Sequence, residues 1–298
     1  MNQAGDAAVV GQDLPQGENL SQVVSGTSAA LFGRLSAPVG HYDIIARLFG
    51  PAARAAIYGD GLTVIRFVSP AARRLDLQLF SCDRFDLEGD LTLAVRDAET
   101  GLMLAGLTFF LLEDAGERVA VIGGLHAAGD PRTRGLIRDV ARDLFGLRPK
   151  ALVLWCLQQL TAPWDIRQIQ ALGDEQQEWR RWRRREGSVA RHDEFWRESD
   201  GRRLPGGGNW QLPLLPPRRH RDELKPSRRR AHELRYAMLA AFEPALVAAF
   251  ASLAPGSEEG GGGVARGPVE HVCSPGSAAS GPGRAAFAND LHATNHSF

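Results

Sequence analysis

The sequence predicts an α+β domain, a mostly antiparallel central sheet covered by helices, with disordered segments at both ends. Three observations carry this. The runs LTLAVRD (91–97), LMLAGLTFFLLED (102–114) and RVAVIGGLHAA (118–128) follow one another through the turns DAETG and DAGE, and connections that short require antiparallel neighbours. After Pro131 the apolar period changes: Leu136, Ile137, Val140, Ala141 and Leu144 mark one face of a helix. The two ends, 1–28 and 255–298, are small, polar or rich in Gly, Ser and Ala, too poor in large apolar groups to repay the entropy of ordering. The expected organisation is therefore one domain over 29–254 between two disordered segments.

Within that domain, LFGRLSAPVGHYDIIARLFGPAARAAIYG (31–59) spaces its apolar residues at helical intervals, and order is expected to begin near Ala29. GLTVIRFVSPAARRLDLQLF (61–80) alternates in the manner of strands and opens the meander. The helix after Pro131 should stop at Gly146, and a second, mostly buried helix should start at Pro149 and run through ALVLWCLQQL. DIRQIQALG (165–173) reads as a short strand and DEQQEWRRWRRREG (174–187) as a polar helix. From His192 to Tyr236 the text is irregular, with Gly206 to Gly208 and a Pro-rich QLPLLPP, before an Arg-rich helix start at Ser227. A closing apolar helix over 237–254 contains Glu243 and Pro244.

Composition excludes several classes. Lys plus Arg and Asp plus Glu each total 35, so no net field draws the whole molecule to nucleic acid or anionic lipid. Cys82, Cys156 and Cys273 lack CxxC spacing, which points to a reducing compartment and no metal site. The first residues carry no basic and apolar leader, and no apolar run approaches the roughly 20 residues that span a bilayer, so a cytoplasmic protein is expected. No GxxxxGK[ST], GxSxG or HExxH pattern occurs.

Five phrases in order, VIGGLHAAGD, LIRDVARDLFGLRPKALVLWCLQQL, HDEFWRESDG, WQLPLLP and SRRRAHELRY, resemble the VirK/YbjX family of bacterial proteins, over roughly 120 residues. The resemblance implies a role in virulence, envelope behaviour or tolerance of antimicrobial peptides, without a mechanism. One departure stands out: where the family usually has Leu-Gln-Gly after Ile-Gly-Gly, this chain has Leu125, His126 and Ala127, and an imidazole replaces an amide only in part.

Candidate chemistry gathers at three places. Gly123 and Gly124 at a strand end can open the backbone to a ligand, or simply form a bulge. Arg148 and Lys150, at the start of the helix opened by Pro149, can gather anionic oxygens. Together they would suit an acyl-CoA or acyl-carrier-protein thioester. The order of strands and helices also looks like the acyl-CoA N-acyltransferase architecture, although its Arg/Gln-x-x-Gly-x-Gly/Ala helix start is missing. His126 and Asp193 are the catalytic candidates: an imidazole exchanges protons near neutrality, and Asp193 with Trp196 forms the family's Asp-x-x-Trp phrase, whose other reading is a helix cap and a core anchor.

Arg228, Arg229, Arg230 and Arg235 form a basic cluster able to hold a small anionic ligand or an acidic protein partner, or to pair internally with Glu233. The run Trp179 to Arg185 interleaves aromatics and cations, but its acidic flanks disfavour nucleic acid. Peripheral membrane contact through the closing helix is open on this reading, with core packing or self-association favoured.

Overall fold

A computed structural model describes residues 39–81, 88–127, 131–175, 192–205, 208–218, 220–256 and 269–272. Two helices open it, α1 (Val39–Leu48) and α2 (Pro51–Tyr58). Five antiparallel strands follow in chain order: β1 (Leu62–Val68), β2 (Arg74–Phe80), β3 (Leu91–Asp97), β4 (Met103–Asp114) and β5 (Glu117–His126). Helices α3 (Pro131–Asp143) and α4 (Pro149–Gln159) then carry the chain over to β6 (Ile166–Ala171), which runs parallel to β5. Helix α5 (His192–Glu198), the short strands β7 (Arg202–Arg203) and β8 (Trp210–Leu212), helix α6 (Pro226–Ala251) and strand β9 (Val269–Val272) complete the described chain.

The described strands form one sheet of order β7-β8-β6-β5-β4-β3-β2-β1-β9, in which β5–β6 and β1–β9 are the parallel pairs. Alternation along β2, β3 and β4 sends Leu75, Leu77, Leu79, Leu91, Leu93, Val95, Leu107 and Phe109 into one apolar core. The helices close over it. Trp155 and Phe242 stack with centroids 6.0 Å apart, Phe242 reaches Phe67 of β1 at 4.8 Å, and Trp164 meets Phe49, Phe109 and Phe250. Each such buried side chain stabilises by roughly 1.5–3 kcal/mol, which is why α4, apolar nearly all round, lies in the interior.

The strand meander, the stop of α3 before Gly146 and the start of α4 at Pro149 agree with the sequence reading. Three features differ. First, the Arg-rich start and the apolar end of the last long helix form one rod, α6, of 26 residues. Glu243 and Pro244 are exposed, so the carbonyl that Pro244 leaves without an N–H partner can be met by water. By length and composition α6 is therefore long and apolar enough to cross a membrane, contrary to the expectation of no such run. Its large side chains, Met238, Leu239, Phe242, Leu246 and Phe250, are buried against this domain.

Second, the stretch that reads as irregular in sequence carries two short strands, β7 and β8. Third, β9 lies within the segment expected to be a disordered tail and pairs with β1 from Ile65–Val269 to Val68–Val272. The rest of 257–298, residues 1–38, Cys82 and nearly all of the polar helix expected over 174–187, including Trp179 to Arg185, lie outside the described residues.

Candidate functional site

The centre of the sheet carries a junction built on three glycines. Thr108 pairs with Gly124 and Phe109 with Ile122, so Gly123 is the extra residue of a bulge in β5. The turn before β3 lies directly on it. A Cβ on Gly123 would meet the Glu88 carbonyl oxygen at 1.8 Å, one on Gly124 would meet Glu88 Oε2 at 1.6 Å, and one on Gly89, at φ +156°, would meet the Phe109 backbone N at 2.6 Å. Gly123 and Gly124 do open the backbone, and the space they open is filled by Glu88.

That packing delivers a carboxylate to His126. Glu88 is buried, and its Oε2 lies 2.7 Å from His126 Nε2. Among the described residues that oxygen has no partner in hydrogen-bond geometry, so the imidazole meets it as a close charge contact and not as a formed hydrogen bond. Thr108 Oγ1 is 3.2 Å from the same nitrogen and 2.9 Å from Thr92 Oγ1, continuing a polar line under the sheet surface. The His126 side chain is 17% exposed, which leaves it reachable from solvent while its partner is not. A carboxylate behind a partly open imidazole is the arrangement that orients a general base.

Two residues further along the same turn, Asp90 serves a different histidine. His41 is fully buried; its Nδ1 accepts the Leu111 N–H at 3.1 Å and its Nε2 donates to Asp90 Oδ2 at 3.1 Å. The backbone explains the need: β3 begins at Leu91 opposite Phe109, so β4 runs on past its neighbour and the Leu111 N–H requires another acceptor. Asp90 also accepts from Tyr58 at 2.8 Å, and the Tyr42 and Ser81 hydroxyls lie 3.5 Å away. Burial pushes the Asp90 carboxyl up, but the bonds from His41 and Tyr58 outweigh it and hold the group below its ordinary range. Burial, then the bond to Asp90, keeps the proton on Tyr58 well above the usual tyrosine range.

Asp193 is a structural hub. One carboxylate oxygen accepts the Asp174 N–H at 2.9 Å and the Trp210 indole N–H at 2.9 Å; the other meets the Arg203 guanidinium. It therefore joins the end of β6, α5 and the β7–β8 pair rather than capping its own helix. Pairing of β5 with β6 stops at Ile122–Ala171. Just beyond, α5 supplies two buried side chains: His192 Nε2 donates to the Leu125 carbonyl at 3.0 Å, and the Trp196 indole donates to the Leu172 carbonyl at 3.0 Å. The Asp-x-x-Trp phrase thus pins the strand ends together.

The basic candidates separate. Arg148, at the start of α4, pairs with Glu198 of α5 and lies over the Phe195 ring at 5.9 Å; Lys150 follows it in the first turn, half-buried. Arg235 turns inward, donating through Nε and a terminal nitrogen to the Phe145 carbonyl at 3.1 and 2.8 Å, a cation on the C-terminal end of α3. Arg229 donates to the Leu224 carbonyl at 3.2 Å. Arg228 and Arg230 are exposed. Sequence reasoning missed Glu88 and Asp90 altogether; the one signal for them was an acidic residue on each side of Gly89.

These features define an α+β protein with a partly accessible histidine–carboxylate pair on a bulged central strand. Among known families, residues 28–247 match the model described as protein of unknown function DUF535, and the chain belongs to that VirK/YbjX family. It is 31% identical over 193 residues to the uncharacterized protein YbjX of Escherichia coli strain K12, covering 64% of this chain. The match spans 58% of that relative's length.

Proposed function

We propose that this protein is an acyl-transfer enzyme serving the bacterial envelope response from the cytoplasm, with His126 as its acid–base group and Glu88 as the carboxylate that orients it. The observation that carries the reading is the 2.7 Å contact between a buried Glu88 oxygen and Nε2 of the partly exposed His126 side chain. In such a reaction the imidazole takes the proton of an attacking amine or hydroxyl as it forms a bond to a thioester carbonyl. The carbon–sulfur bond then breaks and the departing thiolate recovers the proton. Acyl-CoA or acyl-carrier protein is the donor class, with Arg148 and Lys150 facing its anionic groups. Asp193 is a positioning residue, holding α5 beside β5.

Calorimetry of the full chain with acyl-CoA and with acyl-carrier protein tests the donor. Binding of one of them, with turnover lost by about 10²–10⁴-fold in His126→Ala, supports the reading. Absence of binding by both at millimolar ligand overturns it.

A second reading is favoured by one observation: His192 and Trp196 fill the ground beside β5 where pairing with β6 stops. On that reading the protein is a noncatalytic factor whose exposed arginines hold an anionic ligand or acidic partner. Pull-downs with wild type and an Arg228/Arg229/Arg230→Ala variant distinguish the two, since identical partner sets count against it.

A further inference from the structure

We propose that the loop around Leu215 and the arginine-rich start of α6 form a docking surface for an anionic phospholipid bilayer. This rests on the second reading above and names its partner. Among the described residues Leu215 is the most exposed large apolar side chain, at 70%. It is not on a loose loop. The Pro213 carbonyl accepts the Gln158 side-chain amide at 2.9 Å, and the Pro217 carbonyl accepts the Tyr236 hydroxyl at 3.1 Å, while the Arg218 guanidinium lies 4.8 Å from the Tyr236 ring centre. A leucine held out in water between two anchored carbonyls has no packing role in this domain, and an apolar contact elsewhere would remove that cost.

Charge concentrates at the same place. Residues 218–235 hold eight Arg and Lys against three Asp and Glu, in a chain whose totals are equal, and of these cations Arg218, Lys225, Arg228 and Arg230 are exposed among the described residues. Arg218 follows Leu215 by three residues and lies against Tyr236, which joins this loop to α6 roughly two turns along the helix from Arg228 and Arg230. Arg229 and Arg230 line an open groove of about 690 Å³ together with Pro226, Glu233, Leu234 and Ala237, cations and apolar surface in one concavity. Further along the same helix Ala240, Pro244, Ala248 and Ala251 are exposed, and Glu243 is the one charge in α6 after Arg235. Small side chains offer a folded partner few anchors. A fluid surface of anionic headgroups over hydrocarbon needs none; it needs cations beside an apolar wedge, the two signals that together give stable peripheral binding.

The test is flotation of the full chain with vesicles of phosphatidylglycerol and phosphatidylcholine in equal parts, against pure phosphatidylcholine vesicles, with polyglutamate and inorganic phosphate as soluble anions. The expected result is binding to the anionic and not to the neutral vesicles, abolished by high salt, and about 25-fold weaker in Arg228→Gln/Arg230→Gln at roughly a factor of five for each lost cation. Leu215→Ser should weaken vesicle binding and leave polyglutamate binding unchanged. These residues are exposed, so melting temperatures should match wild type. Failure to float with anionic vesicles, equal binding to neutral ones, or unchanged binding by both variants overturns the proposal. Binding of polyglutamate or phosphate without vesicle binding overturns it while leaving the anion-holding reading intact; binding of none of them removes both.

Discussion

Two histidine–carboxylate pairs leave the one turn Glu88–Gly89–Asp90, and they differ in how far the ring is open to solvent. His41 is sealed: one nitrogen accepts a strand N–H, the other donates to Asp90, and two tyrosines and a serine surround the same carboxylate. Its tautomer is set by backbone need, and it completes the sheet where β3 stops short of β4. His126 is the other kind. The carboxylate and the threonine both sit at Nε2, and its side chain reaches solvent. Identical functional groups thus become a structural tie in one case and a candidate acid–base centre in the other, and the satisfaction of the backbone decides which.

The comparison can be broken most severely at the glycines. Gly123→Ala places a methyl against Glu88 backbone atoms that cannot yield without moving the whole turn, so both pairs should fail together, with a loss above about 3 kcal/mol in denaturant unfolding. His41→Ala comes next: it strands the Leu111 N–H and the Asp90 carboxylate and should cost about 3 kcal/mol. His126→Ala should cost about 1 kcal/mol, its effect appearing in turnover. Equal losses at the two histidines would dissolve the distinction drawn above.

Acid sharpens it further. Because Asp90 is held below its ordinary value of 3.8, its contribution is complete above that value and is lost as pH falls through the folded-state value. Asp90→Asn should therefore flatten the acid end of the stability curve, measured by urea midpoints. Smallest of all, Tyr42→Phe removes a hydroxyl 3.5 Å from Asp90 on a half-exposed ring and should change stability by less than about 0.5 kcal/mol.

What could be read from the sequence was local. β3, β4 and β5 declare themselves because their alternation and turns lie within a few residues, and α3 and α4 because Gly146 and Pro149 mark their limits. Position 126 was visible, its partner was not: Glu88 sits in a stretch without period, far along the chain from β5. The arginines show the same limit. Arg235 looks as available as Arg230 in SRRRAHELRY, yet its partner is the Phe145 carbonyl at a helix end no local pattern ties to it. The phrase that joins Asp193 to Trp196 is visible in the sequence, but the segment that phrase holds, Leu172 to Asp174, belongs to another element. β7 and β8 were too short to show any period.

The parallel pairing of β1 with β9 has a consequence for how the molecule is made. β1 is among the first elements to leave a ribosome and β9 the last of those described, so the outer hydrogen-bonding edge of Leu62–Val68 stays open while almost all of the chain is synthesised. Such a late, distant closure slows folding and makes the nascent chain a client for chaperones until residues 269–272 arrive. A fragment trimmed after α6 because the remaining composition looks dispensable would keep that edge open for good, and would be expected to stick to its own kind.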